Sequence, residues 1–137
     1  MAWAILDSSI YVGHWERGLY EDLMQWLRSA FVVRHSAVVL SELRRGARTR
    51  EAQALVADLR DRATTCWEPV NADWWEAGLL VRVIGDRQGW DRSKRREFQN
   101  DALIALTAKR YGATVVTANR SDYDLLSASL GIPILVP

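Results

Sequence analysis

The chain has 137 residues, and 18 Lys and Arg stand against 17 Asp and Glu, so its formal net charge is +1. Hydrophobic residues make up 49% and charged residues 26%, which excludes a disordered tail, a collagen-like fibre and a disulfide scaffold. The single cysteine, Cys66, favours a reducing compartment, no apolar run is long enough to cross a bilayer, and the first residues do not resemble a signal peptide. We expect a single domain over residues 1–137, located in the cytoplasm and not in a membrane.

Short apolar runs alternate with amphipathic segments along the whole chain. The predicted strands cover residues 3–6, 31–33, 64–67, 114–117 and 132–136. Four helices are predicted to begin after the caps Asp7, Ser36, Thr49 and Asn71. Two further helices are predicted over residues 97–111 and 122–130. Residues 89–96 are predicted to be irregular. This alternation indicates an α/β fold with a mostly parallel sheet, which binds ligands at the carboxyl ends of its strands.

Four acidic residues lie at the predicted sheet edge or beside apolar helix residues, where a carboxylate is not expected without a function or a partner. Asp7 follows the first predicted strand and Asp122 follows the fourth, so both belong at the carboxyl edge of the sheet. Glu42 and Asp101 interrupt apolar helix segments, where an unpaired charge is costly. If the four converge, Mg²⁺ or Mn²⁺ would relieve their repulsion and could activate water for phosphodiester hydrolysis. The alternative is that they act separately, as helix caps, an ion-pair partner and a tolerated edge residue.

The other charged residues allow two interpretations. Asp73, Asp86, Asp91 and Asp124 are interpreted as caps or surface charges. Basic residues precede Asp101 and follow Glu42, and they form either a solvated face or a set of phosphate contacts. The candidate phosphate contacts are Arg44, Arg92, Arg95 and Arg96. The helix after Asn71 is expected to bury Trp74, Ala77, Val81 and Ile84.

Four segments, in order, resemble the signature motifs of PIN domains. They are residues 5–9 (ILDSS), 40–46 (LSELRRG), 100–105 (NDALIA) and 117–123 (TANRSDY). The similarity extends over nearly the whole chain, and the subgroup that it resembles most is the VapC-type toxin of toxin–antitoxin pairs.

This resemblance implies a three-layer α/β/α fold with a central, mostly parallel sheet. It also implies a metal-dependent endoribonuclease that hydrolyses RNA phosphodiester bonds as the toxin of a type II toxin–antitoxin system. In the family, four acids surround Mg²⁺ or Mn²⁺, and the matching positions in this chain are Asp7, Glu42, Asp101 and Asp122.

The resemblance further implies that Ser9, Thr117 and Asn119 orient a carboxylate or a water. Some members carry an extra acid near the position of Asn119, so the amide in this chain weakens the case for a second metal ion. Tyr123 stands where Phe is usual. The implied partners are RNA, with tRNA or rRNA as the expected substrate, a cognate antitoxin protein and a second copy of the chain.

Three other functions fit the residues less well. A phospho-accepting receiver domain would need an acid beside Asp7 and a Lys near the end of the chain, but Asp7 has no adjacent acid and no Lys follows Lys109. A phosphatase of the D-x-D type would need an acid at the position of Ser9. A non-catalytic PIN-like module that binds RNA or a partner would have no reason to keep four such carboxylates, and it stays as the alternative.

Overall fold

The computed structural model describes all residues from 1 to 137, and it contains five strands and seven helices. The strands are β1 (Trp3–Leu6), β2 (Val32–Ser36), β3 (Cys66–Trp67), β4 (Thr114–Val116) and β5 (Ile134–Leu135). The helices are α1 (Ser8–Arg17), α2 (Glu21–Ala30), α3 (Ala37–Gly46), α4 (Arg50–Arg62), α5 (Asn71–Gln88), α6 (Arg92–Tyr111) and α7 (Arg120–Leu130). No helix is both long enough and apolar enough to cross a membrane.

The strands form one sheet in the order β3-β2-β1-β4-β5, and every neighbouring pair is parallel. The strand order reverses at β1, so right-handed crossovers place the helices on both faces of the sheet. The predicted α/β/α fold class is thereby confirmed.

The middle of α6 lies at the centre of the molecule. Residues 102–108 are all buried, and α6 packs against α5, α7, α3, β1 and β4. A helix buried on all sides needs small or apolar residues throughout, and the sequence ALIALTA supplies them. The helix ends as predicted at Gly112, which adopts a left-handed conformation with a φ of 66°. Asp101 directly precedes the buried run.

Several predicted boundaries were wrong. α6 begins at Arg92 rather than at residue 97, because the Asp91 carboxylate accepts a hydrogen bond from the Lys94 amide at 2.8 Å and caps the first turn. α7 begins at Arg120 and is capped by Asn119. α2 was not predicted at all.

The start of α5 also differs from the expectation. Asn71 is the first residue of the helix rather than its cap, and the Asp73 carboxylate accepts a hydrogen bond from the Val70 amide at 3.0 Å. Asp73 is therefore a cap, as one of the two interpretations has it. It is not a surface charge, because it is buried and pairs with Arg110 of α6 at 2.7 Å. Trp74 is half exposed, because it lies at the edge of the face that buries Ala77 and Ile84.

We expect Asp91→Ala to lower the free energy of unfolding by about 1 kcal/mol, because it leaves the first turn of α6 without its capping acceptor. Urea denaturation followed by circular dichroism measures the change. Asp58→Ala, at an exposed position inside α4, is the control and should change stability by about 0.5 kcal/mol at most. Equal losses in the two variants would contradict the capping role.

Candidate active site

Two of the predicted acids are held at the carboxyl edge of neighbouring strands. Asp7 follows β1 and caps α1, while Asp122 lies in the first turn of α7, beyond β4. β1 pairs directly with β4, and the Asp7 amide donates to the Val116 carbonyl at 2.9 Å. The reversal of strand order at β1 opens a crevice at this edge, the usual ligand position in such sheets.

All four acids line one open cavity of about 460 Å³ at this edge. Glu42 reaches it from α3 and Asp101 from α6. The cavity has one apolar residue in its lining, and the complete lining is Asp7, Ser8, Ser9, Val12, Glu42, Arg45, Lys94, Arg96, Glu97, Asn100, Asp101, Asn119 and Asp122. The predicted convergence of the four carboxylates is therefore seen in the structure.

Neutral donors fix the carboxylate of Asp7. Its Oδ2 accepts hydrogen bonds from the Ser9 hydroxyl at 3.0 Å and from the Thr117 hydroxyl at 2.8 Å. Its Oδ1 accepts from the Ser8 amide at 2.8 Å. Thr117 is buried and does not line the cavity. Because the donors are uncharged, they hold the orientation of Asp7 but provide no positive charge to pair with it.

Asp122 has a cationic partner. Its Oδ2 accepts from the Lys94 ammonium at 2.6 Å and from the Asn119 side-chain amide at 3.0 Å. The side-chain oxygen of Asn119 accepts from the Asp122 backbone amide at 3.4 Å. Asn119 thus caps α7 and orients Asp122 at the same time.

Burial and mutual repulsion act on the other two acids. Burial raises the pKa of Asp101 to about 8, and the charges of Asp7, Glu42 and Asp122 add to the effect. Burial and the charge of Asp7 also raise the pKa of Glu42, against hydrogen bonds from Asn100 and Ser8 and the charge of Arg45. The cavity therefore carries more negative charge than its own cations neutralise.

Tyr123 adds a hydroxyl group to the site, at a position where the PIN motif usually has Phe. Its buried hydroxyl donates to Asp101 Oδ1 at 3.5 Å, a long contact. Burial raises the pKa of Tyr123 well above its ordinary value, with the charges of Asp7 and Asp101 as further causes. The phenol therefore remains a neutral donor to Asp101.

The donor set fits a hydrated Mg²⁺ or Mn²⁺. It consists of carboxylate oxygens with excess negative charge, and Mg²⁺ commonly binds one or two carboxylates and keeps several waters. No three His, Cys, Asp or Glu side chains are close enough together to hold an ion directly. Binding thus requires bridging waters or small side-chain movements.

Only one of the four predicted phosphate contacts lines the cavity. Arg96 lines the cavity, whereas Arg44 and Arg92 are exposed and do not. Arg95 is turned away, because its guanidinium binds Asp86 at 2.8 Å and the Trp90 carbonyl at 2.9 Å. A phosphate contact from Arg95 beside the acids therefore does not agree with the structure.

Six lining residues were absent from the predicted site: Ser8, Val12, Arg45, Lys94, Glu97 and Asn100. Asn100 and Arg45 lie within the PIN-like motifs, beside the predicted acids. Lys94 lies within the basic run before Asp101, and its position on the first turn of α6 was missed because residues 89–96 were predicted to be irregular, whereas Asp91 caps the helix there.

Asp101→Asn should stabilise the metal-free protein at pH 8. A folded-state pKa of about 8, above the ordinary 3.8, means that the folded chain binds more protons than the unfolded chain, so stability falls as the pH rises from about 4 to 8. The neutral amide removes this loss, and at about 1.4 kcal/mol per pKa unit we expect a gain of up to about 5 kcal/mol at pH 8 that disappears near pH 4. Thermal melts in EDTA across this pH range measure it. A variant that is less stable than the unmodified protein at pH 8 would contradict burial and repulsion as the cause of the raised pKa.

Comparisons with known proteins identify the family of the chain. The sequence profile of the PIN domain matches residues 4–125. None of the curated proteins compared matches the chain. Among solved structures, VapBC2 from Rickettsia felis bound to a DNA fragment from their promoter has 20% identity and a TM-score of 0.69, with 98% of each chain covered.

Two further structures share the fold. VapBC-1 from nontypeable Haemophilus influenzae has 17% identity and a TM-score of 0.71, with 98% of this chain and 97% of that chain covered. DNA-bound VapBC from Salmonella typhimurium has 21% identity and a TM-score of 0.69, with 99% and 98% covered. The profile match over most of the sequence, together with four acids at the reversal of a parallel sheet, shows that the chain belongs to the PIN domain family.

Proposed function

We propose that the chain is a metal-dependent endoribonuclease that hydrolyses RNA phosphodiester bonds with Mg²⁺ or Mn²⁺. The observation that carries this proposal is the convergence of Asp7, Glu42, Asp101 and Asp122 on one polar cavity with excess negative charge. The cavity is open to solvent, so a backbone phosphate could approach it. The family match supports the proposal, because the four acids occupy the four motifs by which the chain resembles PIN nucleases.

The chain's own residues would act by holding and orienting. Asp7, Glu42, Asp101 and Asp122 would hold the ion, which when bound supplies an electrophile for the phosphate and lowers the pKa of water. Ser9 and Thr117 keep Asp7 in one orientation, and Asn119 does the same for Asp122. Water is the nucleophile, so the products are a phosphate monoester and a free hydroxyl, with no covalent enzyme intermediate.

The proposed biological setting is the toxin of a type II toxin–antitoxin pair in the cytoplasm. A VapC-type toxin is supported by the similarity in fold to chains of VapBC structures. The proposed partners are tRNA or rRNA as substrate and a cognate antitoxin protein. A homodimer is supported by an apolar outer face on α5, where Trp75 is 84% exposed and Leu79 and Val83 are also exposed.

The cleavage test uses a mixed pool of tRNA and rRNA with Mg²⁺, with Mn²⁺ and with EDTA. We expect discrete fragments with either metal and none in EDTA. Asp101→Asn should reduce the rate at least about 100-fold, because it removes a charged group that the ion needs. Asp58→Asn, which changes an exposed acid on α4, should cleave like the unmodified protein. Absence of cleavage with both metals would favour the non-catalytic module.

Metal binding itself is tested by thermal stability. Adding Mn²⁺ at about 100 times its dissociation constant should stabilise the protein by about 2.7 kcal/mol, because the ion binds only the folded state. Asp101→Asn should lose most of this gain, whereas Asp58→Asn should keep it. Differential scanning fluorimetry with a Mn²⁺ titration measures both, and an equal gain in the two variants would contradict binding at the four acids.

A further inference from the structure

Lys94 is the basic residue that makes an ion pair inside the acidic cavity. Its Nζ lies 2.6 Å from Oδ2 of Asp122, and its side chain is one-third exposed while that of Asp122 is buried. Arg45 and Arg96 also line the cavity, but neither makes a salt bridge there. The Lys94 ammonium is thus the fixed positive charge of the cavity.

The fold holds this side chain in place from two sides. Lys94 is the third residue of α6, and its backbone amide is fixed by the Asp91 cap. Its ammonium lies 5.1 Å from the centre of the Trp90 ring, a cation–π distance. Trp90 in turn packs edge-on against the buried Phe98, with ring centres 4.7 Å apart. Aromatic packing therefore directs the ammonium into the cavity.

Stability of the helix does not explain a lysine at this position. The amino-terminal turn of a helix carries positive partial charge, so an acid is favoured there and a basic residue is disfavoured. An acid three residues after the cap is also the common capping arrangement. A positive charge kept at this position against the helix dipole, beside an open cavity, points to an anionic ligand.

We propose that Lys94 binds a backbone phosphate of the RNA, and that its ion pair with Asp122 is the resting arrangement that the phosphate replaces. This inference rests on the proposed ribonuclease function. The ammonium has three donor positions and remains partly exposed, so it can contact a phosphate oxygen at the cavity mouth. Lys94 is then a substrate-binding residue rather than only a link between α6 and α7.

The test measures binding without cleavage. Fluorescein-labelled tRNA is titrated in EDTA at several salt concentrations and followed by fluorescence anisotropy. We expect Lys94→Met to weaken binding about tenfold and to reduce the slope of log affinity against log salt by about one phosphate contact. Lys94→Arg keeps the charge and should bind within about threefold of the unmodified protein.

The chain offers a matched control. Lys109 is its only other lysine, exposed on the same helix and about 22 Å away along the axis. Lys109→Met should change the affinity less than twofold. If Lys94→Met binds tRNA as tightly as Lys109→Met does, the proposal is overturned. A lower melting temperature of Lys94→Met with unchanged affinity would assign the lysine a structural role only.

A double-mutant cycle on tRNA affinity distinguishes phosphate binding by Lys94 from a purely structural contact between α6 and α7. Asp122→Asn removes the resting partner, so it should tighten tRNA binding in EDTA, and this gain should be at least threefold smaller when Lys94 is Met. An equal gain in both backgrounds would contradict the exchange of Asp122 for phosphate. A failure of the unmodified protein to cleave RNA would overturn the ribonuclease proposal alone, because these binding measurements do not depend on cleavage.

Discussion

Repulsion among four carboxylates in one cavity is the constraint on which the site depends. Like charges at short range cannot all remain ionised without compensation. The structure compensates each acid differently. Asp7 receives hydroxyl and amide donors, Glu42 receives hydrogen bonds from Ser8 and Asn100, and Asp122 receives an ammonium. The pKa of Asp101 is raised to about 8, so this acid binds a proton at neutral pH. The surroundings of the cavity are arranged around this excess charge.

The helix α6 connects the charged cavity to the apolar core. Residues 102–108 are buried in the middle of the molecule. Earlier on the same helix, Lys94, Asn100 and Asp101 line the cavity. Core packing therefore sets where these polar groups lie. The ion pair between the buried Asp73 and the exposed Arg110 joins α5 to the far end of the same helix. Displacement of α6 would move Asp101 and Lys94 together, which makes this helix the rigid support of the site.

The sequence predicted the acids better than it predicted the cations. Asp7 and Asp122 could be placed because the ends of parallel strands share one edge, and Glu42 and Asp101 stood out against apolar neighbours. The basic run before Asp101 lacks such a contrast, and because basic residues disfavour the start of a helix, the sequence predicts an irregular segment there. The Asp91 cap outweighs the unfavourable basic charge and starts the helix at Arg92. On this helix, Arg95 binds Asp86 and Lys94 binds Asp122 in the cavity.

The compensation is uneven across the cavity, and this unevenness indicates where a divalent cation is most needed. Asp122 is already paired with an ammonium, whereas Asp7 is surrounded by neutral donors only. Asp101 has only the long contact with the Tyr123 hydroxyl, and its pKa is raised to about 8. Asp7, Glu42 and Asp101 therefore lack the ion pair that Asp122 has. A cation beside these three acids would relieve the most repulsion, and Asp122 would be free to join them once Lys94 exchanged Asp122 for phosphate.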